Sequence, residues 1–508
     1  MRCNWSFARH LARMMCIAGV ACALAAPELA AQSASPSLSP AILEIENALR
    51  ARAYNRALDL SRTAVAAHPD DFRIWTLQGM AYAGARKPKL AYAAYDHALH
   101  LKPNYLPALE GAAQAQFESD GKDTEGLLAR VLALRPGDPT ANVMLAMTQY
   151  KRGDCKDAVA HFSQAESLVG QRLLPLSENG ICLSRLGRDE EAIRAFQGAV
   201  VLAPEDRGAR YNLALALLNA KQYDKALQAL APDIQPDSTD ENALTLASDI
   251  YEAHNDTPHA VVLLRQAIVA NPLRTKPYLD FATLSSNHRS YQVGIDMLNS
   301  GLARMPSSAQ LYLARGVLYA QLGNYDKAMD DFQTANRLDP RLTFAGTAEG
   351  ITEAQRHDFG KSLAKFREQV RLHPDNAFDQ YMLAETLAQQ GPDQGSAEYN
   401  EELRAARNAV RLDPKLTLAR GILAGLYLQS GKTNLAIEQC EAALKADPND
   451  QEALYRLILS LRKTNRRGEI PSLTKRLLAL RNAQNQKETH TTRFQLVDSA
   501  AEATNGTQ

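Results

Sequence analysis

A few side chains in this sequence have the types and spacing that chemistry requires, and they are thinly scattered. Glu252, His254, Asp256 and His259 fall close together. Imidazoles and carboxylates are metal-ligand types, so the set could hold a metal weakly. The same residues also make an ordinary solvated turn, and no metal site is expected from them. His97 and His100 lie one helical turn apart, with no further ligand set near them in sequence. Six cysteines are present: Cys3, Cys16 and Cys22 near the start, then Cys155, Cys182 and Cys440. There is no glycine-rich phosphate loop, no G-x-S-x-G and no H-E-x-x-H. The expectation is a chain with no catalytic residues and no cofactor, not an enzyme.

The elements that must position these residues are repeats. Ser307–Pro340 reads as two amphipathic helices, the first over about Ala309–Leu322 and the second over Tyr325–Leu338. Gly323-Asn324 breaks the pattern between them, and Pro340 ends it. Such a pair cannot bury its apolar faces alone, so neighbours of the same kind are required. Prolines at 69, 103, 136, 204, 236, 272, 306, 340, 374, 414 and 448 mark the copies, and 34 is the commonest step. Gly170 stands where one proline is missing.

Inside the copies one first-helix position is always small: Gly79, Ala113, Ala146, Gly180, Ala214, Ser248, Ala282, Gly316, Gly350, Ala384 and Ala424. A helix of the next copy is expected to pack against this point, where a larger side chain would hold the backbones apart. Second helices repeat Ala-x3-aromatic-x2-Ala, as in Ala91/Tyr95/Ala98, Ala158/Phe162/Ala165, Ala192/Phe196/Ala199 and Ala328/Phe332/Ala335. Gly153, Gly187, Gly323 and Gly431 fall in the turns between helices. An insertion, Gly391–Gly395, swells one such turn.

This pattern resembles the tetratricopeptide repeat family, whose signature is W-x2-L-G-x2-Y…A-x3-F…A…P. Trp75, Gly79, Tyr82, Ala91, Tyr95, Ala98 and Pro103 fit one whole copy, with Gln78 in place of the usual leucine. The resemblance implies an all-α fold, a right-handed α-α superhelix of about 12–13 helix pairs over residues 41–482. It also implies that first helices line the concave side, where protein or peptide partners lie. The family's carboxylate clamp is missing, because its places read Thr76/Met80, Val143/Met147, Ser177/Ile181 and Tyr211/Leu215.

The ends differ from the repeats. Residues 1–31 read as an export signal: Arg2, Arg9 and Arg13 precede an apolar run, Met14–Ala26, too short to span a bilayer. An uncleaved N-terminal anchor and acylation at Cys22 are the alternatives. Residues 32–40 are a Ser/Pro linker, and 483–508 read as a disordered polar tail. The mature chain is therefore expected outside the cytoplasm, in the periplasm or cell envelope. Any membrane contact would come through an uncleaved anchor or through partner proteins. Charge is balanced at 57 basic against 57 acidic residues, which argues against nucleic acid as a partner.

Two sets of residues are candidates for partner binding. Met80, Met147, Ile181 and Leu215, with Phe117 and Tyr150 a turn on, suit an adaptable apolar groove, or else belong to the core. Asn219, Asn287, Gln321, Gln355, Gln389 and Gln429 place an amide near the end of successive first helices, with Ala253 as the gap. An amide donates and accepts, so such a row can hold a peptide backbone, or else it is ordinary helix-end polarity. Cys155 and Cys182 fall at the same edge of adjacent helices, and in an oxidising compartment they pair as a disulfide or remain two thiols. Cys440 replaces a repeat aromatic and is expected to be buried and inert. The expected function is a protein-interaction scaffold. The alternative is a non-catalytic regulatory or substrate-recruiting subunit of an enzyme such as a glycosyltransferase.

Overall fold

The computed structural model describes residues 40–493. The expected export signal lies outside these residues, and so do Cys3, Cys16 and Cys22. Among the described residues the regular structure is helical throughout, in thirteen antiparallel pairs. Contacts divide the chain into two units, Met1–Leu168 and Val169–Gln508. Four pairs belong to the first and nine to the second. Within each unit a first helix packs on its own second helix and on the first helix of the next pair. Second helices pack mainly on first helices, so the first helices form the more closely spaced layer.

A common recipe builds the turn between pairs. Two residues after the closing proline a short polar side chain caps the next helix. Asp71, Asp138, Asp206, Ser308, Asn376 and Asp450 each accept a hydrogen bond from a backbone N–H of the first turn. Each cap contributes about 1 kcal/mol. Six residues after the proline a donor reaches back to the proline carbonyl, which would otherwise be left without a partner. Trp75 Nε1 donates to Pro69 at 2.7 Å, Asn142 Nδ2 to Pro136 at 3.1 Å and Tyr278 OH to Pro272 at 3.2 Å. Gln380 Nε2 donates to Pro374 at 3.2 Å and Arg420 Nε to Pro414 at 2.8 Å. Arg210 Nη1 does the same for Pro204. Where the sixth residue is Leu109 or Leu454, Arg130 or Arg476 of the second helix donates to Pro103 or Pro448 instead.

In twelve of the thirteen pairs, all but the last, the turn inside the pair is as uniform in geometry, though not in residue type. Gly153, Gly187, Gly323, Gly391 and Gly431 hold left-handed φ there. So do Arg52, Arg86, Asp120, Lys221, Asn255, Arg289 and His357, at φ between 50 and 64°. A side chain in that region costs about 1–2 kcal/mol.

The small first-helix position is occupied differently from the expectation. A Cβ on Gly79 would stand 2.5 Å from the Tyr95 ring, and one on Gly316 2.5 Å from Phe332. On Gly180 it would meet Phe196 at 2.7 Å, and on Gly350 it would meet Phe366 at 2.8 Å. The neighbour is therefore the aromatic sixteen residues on, in the second helix of the same pair, and not a helix of the next copy. The ring fills the space over the glycine and seals its own pair. Where the partner is Leu230, Leu264 or Leu298, the small position carries Ala214, Ser248 or Ala282.

The inserted turn Gly391–Gly395 leads into a second helix of 16 residues, Ala397–Leu412, capped by Ser396. The last helix, Ile470–Arg493, runs past Asn482, so the polar stretch from Ala483 begins as helix. No glycine or proline stands there to stop it. Residues 494–508 lie outside the described residues. Among those described, no helix is long and apolar enough to cross a membrane.

Candidate functional site

The first-helix layer of the second unit carries the amide row. Asn219, Asn287, Gln321, Gln355 and Gln429 are each the last residue of their helix, and Gln389 is one before the end of Ala377–Gln390. All six are exposed. Ser286 Oγ donates to Gln321 Oε1 at 2.7 Å, tying one first helix to the next at this level. Gln389 Nε2 donates to Glu385 at 3.3 Å. The row recurs because a left-handed turn ends each of these first helices at nearly the same place in the repeat.

The apolar candidates separate. Met80, Phe117 and Met147 lie in the first unit, Ile181 and Leu215 in the second. Met147 is 8% exposed and belongs to the core, while Met80 and Leu215 are each 38% exposed. Phe117 and Ile181 are half-buried. The Lys151 ammonium lies 5.5 Å from the Phe117 ring centre and pairs with Asp120 at 2.6 Å.

Other residues on the first helices were not anticipated. Asp249 is exposed, yet close packing and the charge of Asp280 push its carboxyl above the usual carboxylate range, and Lys276 opposes this. Burial likewise raises the Tyr211 phenol. Tyr381 is pushed up to about 12 by burial and by Glu385. Glu402, in the neighbouring second helix, is raised to about 7 by burial and by the same Glu385. A signal for these residues exists in the sequence. Stepping Tyr211/Leu215 forward by the repeat length reaches Asp249 once and Tyr381/Glu385 five repeats on.

The cluster at 252–259 is divided among separate partners. Glu252 receives hydrogen bonds from Thr257 Oγ1 at 2.8 Å and meets His288 Nε2 at 2.8 Å, with His288 only 2% exposed. Asp256 caps the following helix and meets His259 Nδ1 at 2.7 Å. The His259 ring stacks on Tyr251 at 5.0 Å, and His254 lies 3.9 Å from Asp224. These contacts build a helix turn. Among the described residues, no group of His, Cys, Asp or Glu converges to hold a metal ion. His97 lies against Trp75, ring centres 4.0 Å apart, while His100 faces Asp96 at 3.6 Å. Cys155 and Cys182 are each disulfide-bonded, and Cys440 is a free, buried thiol pushed up to about 12 by its burial.

Comparison with known proteins agrees with this architecture. Residues 31–172 match the family model described as the cytochrome c-type biogenesis protein H TPR domain. Residues 181–239, 418–467 and 309–342 match tetratricopeptide repeat models. The chain is 24% identical to anaphase-promoting complex subunit cut9 of Schizosaccharomyces pombe, over 43% of this chain and 34% of that protein. It is 25% identical to the Hsp70-Hsp90 organizing protein of Triticum aestivum, over 38% and 34% respectively. It is 32% identical to tetratricopeptide repeat protein 16 of Homo sapiens, over 43% and 27%. The chain thus spans about a third of the length of these curated relatives or less. The crystal structure of yeast Tom70 superimposes with a TM-score of 0.44 at 19% identity, over 89% of this chain and 94% of that one. Helix pairs at a 34-residue step, small and aromatic residues paired within several of them, and repeat-model matches along both units lead to one assignment: the chain belongs to the tetratricopeptide repeat family.

Proposed function

We propose that this protein is an exported, non-catalytic scaffold that holds an extended segment of a protein partner on the first helices of its second unit. The observation that carries the reading is the row of six exposed amides at one level of successive first helices. Each amide can donate to one peptide group and accept from another, so a row of them binds backbone with little regard to sequence. Asp249, Tyr381 and Glu385 add carboxylates and phenol to the same layer, which favours a segment carrying hydrogen-bond donors. The relatives named as subunits of the anaphase-promoting complex and as an organizing protein support a role in assembly. So does the match of residues 31–172 to the repeat domain of a cytochrome c-type biogenesis protein. The cell-envelope setting rests on the basic start and short apolar run of residues 1–31.

The test is a crosslinking pull-down from envelope extract with the chain and with an Asn287→Ala/Gln321→Ala/Gln355→Ala variant. A partner captured by the parent and lost by the variant supports the reading. Equal capture by both removes the amide row from partner binding.

A further inference from the structure

A second surface lies among the second helices. Tyr325–Leu338 and Phe359–Leu372 are the second helices of successive pairs. They flank a cleft of 280 Å³ to which the first helix Phe344–Gln355 also contributes. Met329 comes from one side, Glu349 and Glu353 from the first helix, and Lys361, Lys365 and Glu368 from the other side.

The charges in the cleft do not close among themselves. Lys365 Nζ bridges Glu349 at 3.0 Å and Glu368 at 3.1 Å, so its ammonium is already shared. Lys361 Nζ pairs at 2.9 Å with Asp358, which does not line the cleft. Glu353 is 9% exposed, and its buried Oε2 has no hydrogen-bond partner. A carboxylate oxygen held out of water without a donor is costly, and a ligand that supplies the donor recovers that cost. No group of acidic side chains among the described residues converges to take a metal ion. With three carboxylates lining the cleft and both lysines already paired, a donor that carries positive charge complements it best.

A guanidinium fits this requirement better than an ammonium. Its planar fork presents donors in pairs and suits carboxylates, and it tolerates partial burial because it is weakly hydrated. Its methylene stem needs an apolar wall, which Met329 and Ala364 provide. We propose that this cleft receives the arginine side chain of a protein partner, with the Glu353 carboxylate turning its unpartnered oxygen into the cleft to accept from the guanidinium. The surface uses the second helices, and its binding does not depend on the amide row.

The experiment uses the full chain and saturation-transfer NMR. The probes are a blocked Gly-Ser-Arg-Ser-Gly peptide, its citrulline counterpart and free arginine. The expected result is transfer to the arginine methylenes and none to citrulline, which has nearly the same shape without the charge. Glu353→Gln should weaken binding about tenfold, the worth of one charge-assisted hydrogen bond. Lys361→Met should strengthen it, because Lys361 is a competing cation close enough to feel the charge of Glu353. The Asn287→Ala/Gln321→Ala/Gln355→Ala variant should bind the peptide unchanged, which separates this result from the fate of the amide row. Equal transfer to arginine and citrulline peptides overturns the proposal. So does unchanged binding by a Glu353→Gln variant whose circular dichroism matches the parent. Free arginine bound as tightly as the peptide would assign the cleft to a small guanidinium compound and overturn the protein-partner assignment.

Discussion

The pairing of a glycine with an aromatic sixteen residues on can be tested by a double-mutant cycle at Gly316 and Phe332. A Cβ added at Gly316 would lie 2.5 Å from Phe332 Cε1, 2.8 Å from Cδ1 and 3.2 Å from the Ala328 carbonyl oxygen. The ring must shift, and overpacking of this kind costs about 1–3 kcal/mol. Replacing a mid-helix glycine by alanine returns about 1 kcal/mol of helix propensity. Gly316→Ala should therefore destabilise by about 0–2 kcal/mol. The pair Ala146 and Phe162, both fully buried, shows that a methyl and a ring can be fitted here and favours the lower half of that range. Phe332→Leu alone leaves unfilled space and should cost about 1–2 kcal/mol. In the double variant the new methyl meets a smaller side chain, the combination that Ala282 and Leu298 make within one core cluster. The double variant should thus be more stable than the sum of the singles predicts, by about 1 kcal/mol. Urea unfolding followed by circular dichroism gives the global values, and amide hydrogen exchange in Tyr325–Leu338 gives the local ones, because repeats lose structure piecewise. Additivity within about 0.5 kcal/mol would refute the direct contact.

Three further outcomes follow from the described residues. Glu402 titrates near 7 in the folded chain against an ordinary 4.5. The folded state therefore keeps a proton that the unfolded state releases, and stability falls as pH rises from about 4.5 to about 7, then levels off. Glu402→Gln should remove about 1–3 kcal/mol of that loss, read as a higher Tm at pH 8 and little change at pH 4. Lys221 holds φ +57° in an inter-helix turn, so Lys221→Gly should stabilise by up to about 1 kcal/mol in the same urea assay. A bridge between Cys155 and Cys182 predicts that thiol titration of the unreduced, unfolded chain lacking residues 1–31 finds one thiol, at Cys440; three thiols would remove the bridge.

Much of the architecture can be read from the amino-acid order. The 34-residue step, the eleven small residues and the Ala-aromatic-Ala motif specify helix pairs, because only that period lets every pair bury its face on a neighbour. The amide row is visible for the same reason: each first helix ends at one place in the repeat. Other features escape a linear reading because dissimilar residues do the same work. Trp75, Asn142, Arg210, Tyr278, Gln380 and Arg420 all serve a proline carbonyl, and no residue type joins them. Arginine, lysine, aspartate, asparagine and histidine adopt the left-handed turn that glycine marks elsewhere, since the hydrogen bonds of the closed turn outweigh the strain.

The sequence by itself determined the repeat and the helices, because periodic burial leaves a local trace in every copy. Only the tertiary structure decided which side chains meet. Phe332 covers the glycine of its own pair because two antiparallel helices bring residues sixteen apart face to face. Glu252 accepts from its neighbour Thr257 with one oxygen and meets His288, one pair further on, with the other. Met147 turns inward while Met80 stays at the surface. The cleft around Glu353 exists because two second helices stand apart over a first helix, and that spacing is a property of stacked helices with no counterpart in the order of the residues.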